Sequence, residues 1–182
     1  MKPDRPVWTL SFVVCVPLLV AFAGGGCSQN RPVGNEAAKA KNDDEAEVRQ
    51  LLDVWAKAFQ ARDVNAIAAL YAPDVVAYDV VPPLQYVGWD AYRKDYEEVL
   101  AQYKGPLEVE FRDVHISVQG DLAFEWYLAR IGGTLANGEK SSIWMRVTSA
   151  FRKSNGKWLD IHDHTSVPAD MATGKAKLDL KP

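Results

Sequence analysis

The sequence predicts an α+β domain, with helices first and then a strongly curved, mostly antiparallel sheet. Two observations predict it. An apolar stripe at three- and four-residue steps runs through Val48, Leu51, Leu52, Trp55 and Phe59, the period of a helix with one buried face. Beyond residue 106, long strand-forming runs are separated by turn signals at Gln119-Gly120-Asp121, Asn137-Gly138 and Ser154-Asn155-Gly156. Such spacing marks strands joined by hairpins. Helices segregated from strands in this way pack on one face of the sheet.

Each element has its own signals. The first helix is expected from Glu45. Asp63 can cap a second, short helix over residues 64–71, because its side chain accepts from the free amides of the first turn. Pro73 stops that helix, and the β-branched run 75–80 is a strand. Pro82-Pro83 breaks the strand, since proline has no amide hydrogen for a ladder. Asp90 is placed to cap a third helix reaching about residue 103, which Gly105-Pro106 ends. Four strands follow, over 107–118, 122–135, 140–153 and 157–167.

Composition narrows the function classes. The chain has 182 residues and a formal net charge of −3, which removes any general electrostatic case for nucleic acid as a partner. Hydrophobic content of 48% and charged content of 25% suit one globular domain with a packed core. The only cysteines, Cys15 and Cys27, precede the folded region, so no disulfide framework is expected. There is no phosphate loop, dinucleotide fingerprint, nucleophile elbow or CxxC pair, and no cofactor is expected.

The N-terminus reads as an address. Lys2 and Arg5 precede an almost wholly apolar run over 7–23, followed by Gly24-Gly25-Gly26-Cys27. The run is short for a membrane span and has the shape of a secretory signal. Cleavage after Ala21-Phe22-Ala23 would release a secreted or periplasmic protein. Gly25-Gly26-Cys27 instead resembles a bacterial lipobox, with Cys27 lipidated, although Gly24 departs from the usual aliphatic residue. The lipid-anchored reading is favoured because it accounts for a lone mature cysteine. The expected layout is a signal peptide over 1–26, a flexible tether over 27–44, the domain over 45–168 and a polar tail over 169–182.

Three stretches carry a resemblance: "WAKAFQARD"; "YAPDVVAYDVVPPLQYVGWDAY"; and the pair "GDLAFEWYLAR" and "NGKWLDIHDHTSVP". Together they resemble the SnoaL-like branch of the nuclear-transport-factor-two-like (NTF2-like) superfamily. The first two are similar to ketosteroid isomerase. The last is similar to the association (hub) domain of calcium/calmodulin-dependent kinase. The resemblance implies a cone-shaped fold of three N-terminal helices on the sheet. It also implies a pocket between helices and concave face, and often a dimer through the outer sheet face. It does not imply one function, because the fold hosts enzymes and assembly domains alike.

The candidate site residues follow from parity and from this resemblance. Val75, Ala77 and Asp79 share one strand face, and Asp79 falls where the isomerase resemblance places a general base. Asp79 is otherwise a strand-end acid that accepts from loop amides. Trp55 stands in place of the isomerase's donor tyrosine and Ser149 near its donor acid, a loss of oxyanion donors that argues against steroid isomerisation. Leu122, Phe124, Trp126, Leu128 and Arg130 alternate onto one face, and the hub resemblance matches Arg130 to an arginine that holds a carboxylate ligand. Ser149 and Thr165 occupy the positions of the hub's other pocket arginines. Tyr92 lies near its histidine, and with Tyr86 and Trp89 is expected at the pocket mouth or in the core. On the last strand, Leu159 and Ile161 are expected to face the pocket with Asp163 and Thr165. Asp160, His162 and His164 are then on the convex face, with Arg146 and Thr148 opposite the histidines. That makes them an interface or ladder rather than a metal site.

These readings converge on a pocket protein of the envelope that binds a small organic molecule, with a carboxylate as one ligand class. Asp79, Arg130 and Asp163 are its expected polar contacts and Trp55, Tyr92 and Trp126 its walls. Two alternatives stay open: an isomerase, dehydratase or cyclase with Asp79 as general base, and a homo-oligomeric assembly module. A homodimer is the expected state.

Overall fold

The computed structural model describes residues 33–182. The expected signal peptide, Cys27 and the first part of the tether lie outside the described residues. Helix α1 spans Val33–Ala61, α2 Val64–Ala68, and α3 Trp89–Ala101. Strand β1 runs Tyr71–Tyr78, β2 Tyr86–Val87, β3 Tyr103–Gln119, β4 Leu122–Leu135, β5 Lys140–Ser154 and β6 Lys157–Ser166. The six strands form one sheet in the order β2-β1-β6-β5-β4-β3. β1 and β6 are parallel, and every other pairing is antiparallel. The fold is α+β, with helices packed on a curved sheet.

The stripe on α1 packs as its period predicts. Val48, Leu52 and Phe59 are buried. The helix nevertheless begins at Val33, so the residues expected as the latter part of a flexible tether are helical. Lys153 on β5 fastens this extension through Asp44 and through Glu47 at 3.1 Å. Asp63 caps α2, its carboxylate accepting from the amides of Asn65 (3.1 Å) and Ala66 (2.9 Å). α2 is shorter than expected because Tyr71 already starts β1, where Pro73 lies inside the strand. The N-cap of α3 is Gly88, at φ 82°, rather than Asp90; a positive φ suits glycine, which has no Cβ to clash. β3 begins at Tyr103 and carries Gly105-Pro106 within it.

Two irregularities set which side chains face the helices. β3 shifts register between Arg112 and His115, with Asp113 at φ 51°. β6 shifts where Ala150 pairs His162 but Phe151 pairs Asp160, which leaves Ile161 as the extra residue of a bulge. A bulge reverses side-chain alternation beyond it. The turn before β6 is the two-residue Asn155-Gly156, both at positive φ (51° and 76°), joining paired Ser154 and Lys157. Among the described residues, no helix is long and apolar enough to cross a membrane.

Candidate functional site

A cavity of about 220 Å³ lies between α1, α3 and the concave sheet face. Its walls follow from helix spacing. Leu51, Leu52, Trp55 and Phe59 come from the α1 stripe, and Tyr92, Asp95, Tyr96 and Val99 repeat at i, i+3, i+4 and i+7 on α3. From the sheet come Phe111, Glu125, Tyr127, Ser149, Asp160, Asp163 and Thr165, while Asp79 enters just past the end of β1. Five carboxyl groups therefore line the cavity, and no Lys, Arg or His does.

The hydroxyls converge on Asp163. Tyr71 donates to its Oδ2 at 3.1 Å, Tyr92 approaches the same oxygen at 3.3 Å, and Ser149 Oγ donates to Oδ1 at 3.2 Å. Behind Tyr71 the chain continues: Trp55 Nε1 donates to the Tyr96 hydroxyl at 2.9 Å, which lies 2.8 Å from the Tyr71 hydroxyl. Because Tyr71 spends its one hydrogen on Asp163, Tyr96 supplies the hydrogen between the two phenols. Tyr92 also reaches Asp79 Oδ2 at 3.1 Å. A phenol has one hydrogen, so it serves either acid, and both contacts are hydrogen bonds only when one acid is protonated.

Burial controls the charges. It pushes Asp163 up to about 6, helped by the nearby Asp79 and opposed by the tyrosine and serine hydrogen bonds. Asp95 is raised to about 6 by burial and by Asp79, against a hydrogen bond from Tyr86 at 3.1 Å. Asp79 is raised by burial, against hydrogen bonds from the Val80 amide and Tyr92. Glu125 is 1% exposed; burial and Asp163 raise it to about 8, against the charge of Arg49. Burial likewise holds Asp160 well above the ordinary carboxylate range. Neither Glu125 oxygen, nor Asp160 Oδ1, has a hydrogen-bond partner. Tyr71, Tyr92, Tyr96 and Tyr127 are all pushed up by burial and stay neutral donors.

Most expected site residues meet here: Trp55, Asp79, Tyr92, Ser149, Asp163 and Thr165 all line the cavity. The donors expected of Trp55 and Ser149 are taken, by Tyr96 and Asp163. Two expectations are corrected. Trp126 and Arg130 lie on the convex face, because the inward row of β4 is Ala123, Glu125, Tyr127 and Ala129. The row with more apolar surface faces out, and Ala123 of the inward row packs in the cluster with Val48. Trp126 stacks on His115 at 5.3 Å. Arg130 is held by Glu110 (3.0 Å) and Glu108 (2.9 Å) of β3. The carboxylate-binding cation thus falls outside the cavity, and the expected carboxylate ligand loses its partner.

The second correction concerns β6. Trp158 and Asp160 face inward and are buried, not Leu159 and Ile161. The bulge at Ile161 then lets Asp163 and Thr165 face inward as well. The histidines stay on the convex side, with Thr148 opposite His164, but Arg146 opposite Ser166. His162 Nδ1 lies 2.7 Å from the Val76 carbonyl, so it carries the hydrogen. Tyr78 packs edge-on against His162 (4.9 Å) and His164 (5.6 Å). Among the described residues, no group of three or more His, Cys, Asp or Glu is arranged to hold a metal ion.

Sequence reasoning missed Tyr71, Tyr96, Glu125 and the inward Asp160. The Tyr92–Tyr96 spacing of four on a helix was a signal for one. The short turn at Gly120-Asp121 was a signal for another, because it pairs Ile116 with Glu125 and Val118 with Ala123. The inward Ile116 and Val118 thereby fix the parity of β4.

Residues 48–170 match the model of the SnoaL-like domain family. An NTF2-like protein of unknown function from Pseudomonas putida KT2440 is 38% identical, with a TM-score of 0.71, over 78% of this chain and 98% of that one. A candidate calcium/calmodulin-dependent protein kinase II association domain from Xanthomonas campestris is 27% identical, with a TM-score of 0.60, over 66% and 84%. A ketosteroid isomerase-like protein from Erwinia carotovora atroseptica is 24% identical, with a TM-score of 0.60, over 69% and 96%, and shares the fold. No curated protein matches the chain.

Proposed function

Because the chain belongs to the SnoaL-like domain family, we propose that it is a pocket protein of the bacterial envelope that holds one small organic molecule. The observation that carries this reading is the cavity of about 220 Å³, walled by aromatic rings and carboxyl groups. Sites for drug-sized ligands start near 300 Å³, so a single-ring compound suits this one better than a fused polycycle. In this reading Cys27 carries a lipid anchor, or cleavage after Ala23 releases the protein, and the domain pairs as a homodimer. The test is a native mass spectrum of a soluble chain from Ser28 onward, produced in rich medium and then exposed to a fragment library. A retained or captured compound is expected. A chain that stays empty throughout counts against the pocket reading.

A proton-transfer enzyme is the second reading, and one observation favours it. Tyr92 spans Asp79 and Asp163; burial raises Asp79, and Asp163 is raised to about 6, where a carboxyl exchanges protons close to neutral pH. Asp79 is the general base in this reading, with Asp163 as its partner through Tyr92. Asp79→Asn then abolishes turnover of any substrate found, by roughly 100-fold or more. Unchanged turnover would sink the catalytic role of Asp79.

A further inference from the structure

We infer that the cavity takes an organic ammonium: a protonated amine carried on a compact, ring-bearing body. This rests on the pocket reading and narrows it to a ligand class. The first observation is the unpartnered acid. Glu125 is 1% exposed and Asp160 5%, both line the cavity, and three of their four carboxyl oxygens have no hydrogen-bond partner. Buried polar atoms in folded proteins nearly always have partners, so these call for a donor that the chain does not supply.

The second observation is the wall around them. Trp55, Phe59, Tyr71, Tyr96, Phe111 and Tyr127 line the same cavity. Aromatic faces are electronegative and attract a cation, and the attraction grows when water is excluded. The third is the lack of an internal counter-charge. No basic side chain lines the cavity; Arg49, on the exposed side of α1, acts on Glu125 only through space. Arg130 is engaged by Glu108 and Glu110 on the other face of the sheet.

Together these observations choose among ligand classes. An anion meets five carboxyl groups and no cation. A metal ion needs several converging ligands, an arrangement missing among the described residues. An ammonium needs one or two acceptors and ring faces, and both are present; seated against Glu125 it replaces the proton that burial otherwise keeps on that carboxyl at neutral pH. A neutral carbonyl compound is the rival, because a protonated Glu125 would donate to it.

The test is calorimetric titration of the chain from Ser28 onward at pH 7 with benzylammonium, benzyl alcohol and benzoate. Benzylammonium is expected to bind about tenfold or more tightly than benzyl alcohol, and benzoate not to bind. Glu125→Gln is expected to remove the amine's advantage over the alcohol, so that the two bind within about twofold of each other. Asp160→Asn is the second variant should the first fail to fold, with the same expected direction. An alcohol that binds as well as the amine overturns the ammonium assignment and leaves the pocket reading standing. An amine preference that survives both substitutions also overturns the assignment. Failure of all three probes overturns the assignment and weakens the pocket reading with it.

Discussion

Ser149 and Asp163 are cross-strand partners on β5 and β6, and the serine hydroxyl donates to the buried carboxylate at 3.2 Å. The pair exists because the bulge at Ile161 returns Asp163 to the inward face after Asp160 has already used it. Hydrogen bonds to the charged form hold a carboxyl down, so removing one lets burial raise it further. Ser149→Ala is expected to move Asp163 upward from about 6 in a carbon-13 titration of the carboxyl resonances. The variant should lose roughly 1 kcal/mol of stability at pH 8 and less at pH 5. A carboxyl that titrates where it did before would mean that the serine does not hold the charge.

The carboxyl cluster reverses the usual acid sensitivity over part of the pH range. Glu125 rises from 4.5 to about 8, and Asp95 and Asp163 rise from 3.8 to about 6. A raised carboxyl makes the folded state bind more protons than the unfolded chain between the two values. Stability therefore grows as pH falls through that window, at up to ~1.4 kcal/mol per pH unit for each proton. Above pH 6 the trend is carried by Glu125 together with Asp160, whose carboxyl burial also holds well above its ordinary range, and from 6 to about 4 Asp95 and Asp163 add to it. Chemical unfolding at pH 8, 7, 6 and 5 is expected to give rising stability, with the upper part of the rise smaller in Glu125→Gln. A maximum at pH 8 would contradict burial of these groups.

Arg130 tests the parity of β4 directly. Its guanidinium lies between Glu108 and Glu110 on the convex side, away from every cavity-lining residue of the same strand. Arg130→Ala is expected to leave ligand affinity within about twofold, since no contact in the pocket changes. It should alter stability only modestly, because part-exposed ion pairs contribute little. A tenfold loss of affinity for a pocket ligand would restore the arginine to the binding site.

How much of this was legible follows from what each signal measures. The α1 stripe, the Asp63 cap and the hairpin turns are local, and Val75, Ala77 and Asp79 alternate as a simple strand must. The inward faces of β4 and β6 are not local. On β4 the apolar row points outward, so hydrophobicity alone selects the wrong face, and only the register with β3 corrects it. On β6 the bulge places Asp160 and Asp163 on one face although they are an odd number apart. Regular alternation cannot express that. The acidic character of the cavity, set by Glu125 and Asp160, was therefore invisible to residue-by-residue parity.

The convex face carries the last prediction. Leu122, Phe124 and Trp126 project from β4 at 53%, 46% and 42% exposure, and Trp126 is flanked by Phe124 at 5.7 Å and stacked on His115. An exposed run of large apolar side chains on a sheet face marks an association surface. A two-fold axis through this face would set the same row of one copy against that of the next, as closed dimers do. The chain from Ser28 onward is expected to sediment as a dimer. Phe124→Glu with Trp126→Glu should give a monomer, because the axis would bring like charges together where apolar area had been buried. Neither residue lines the cavity, so ligand binding should persist in the monomer. A monomeric wild type, or a dimer that survives both glutamates, would move the association surface elsewhere on the domain.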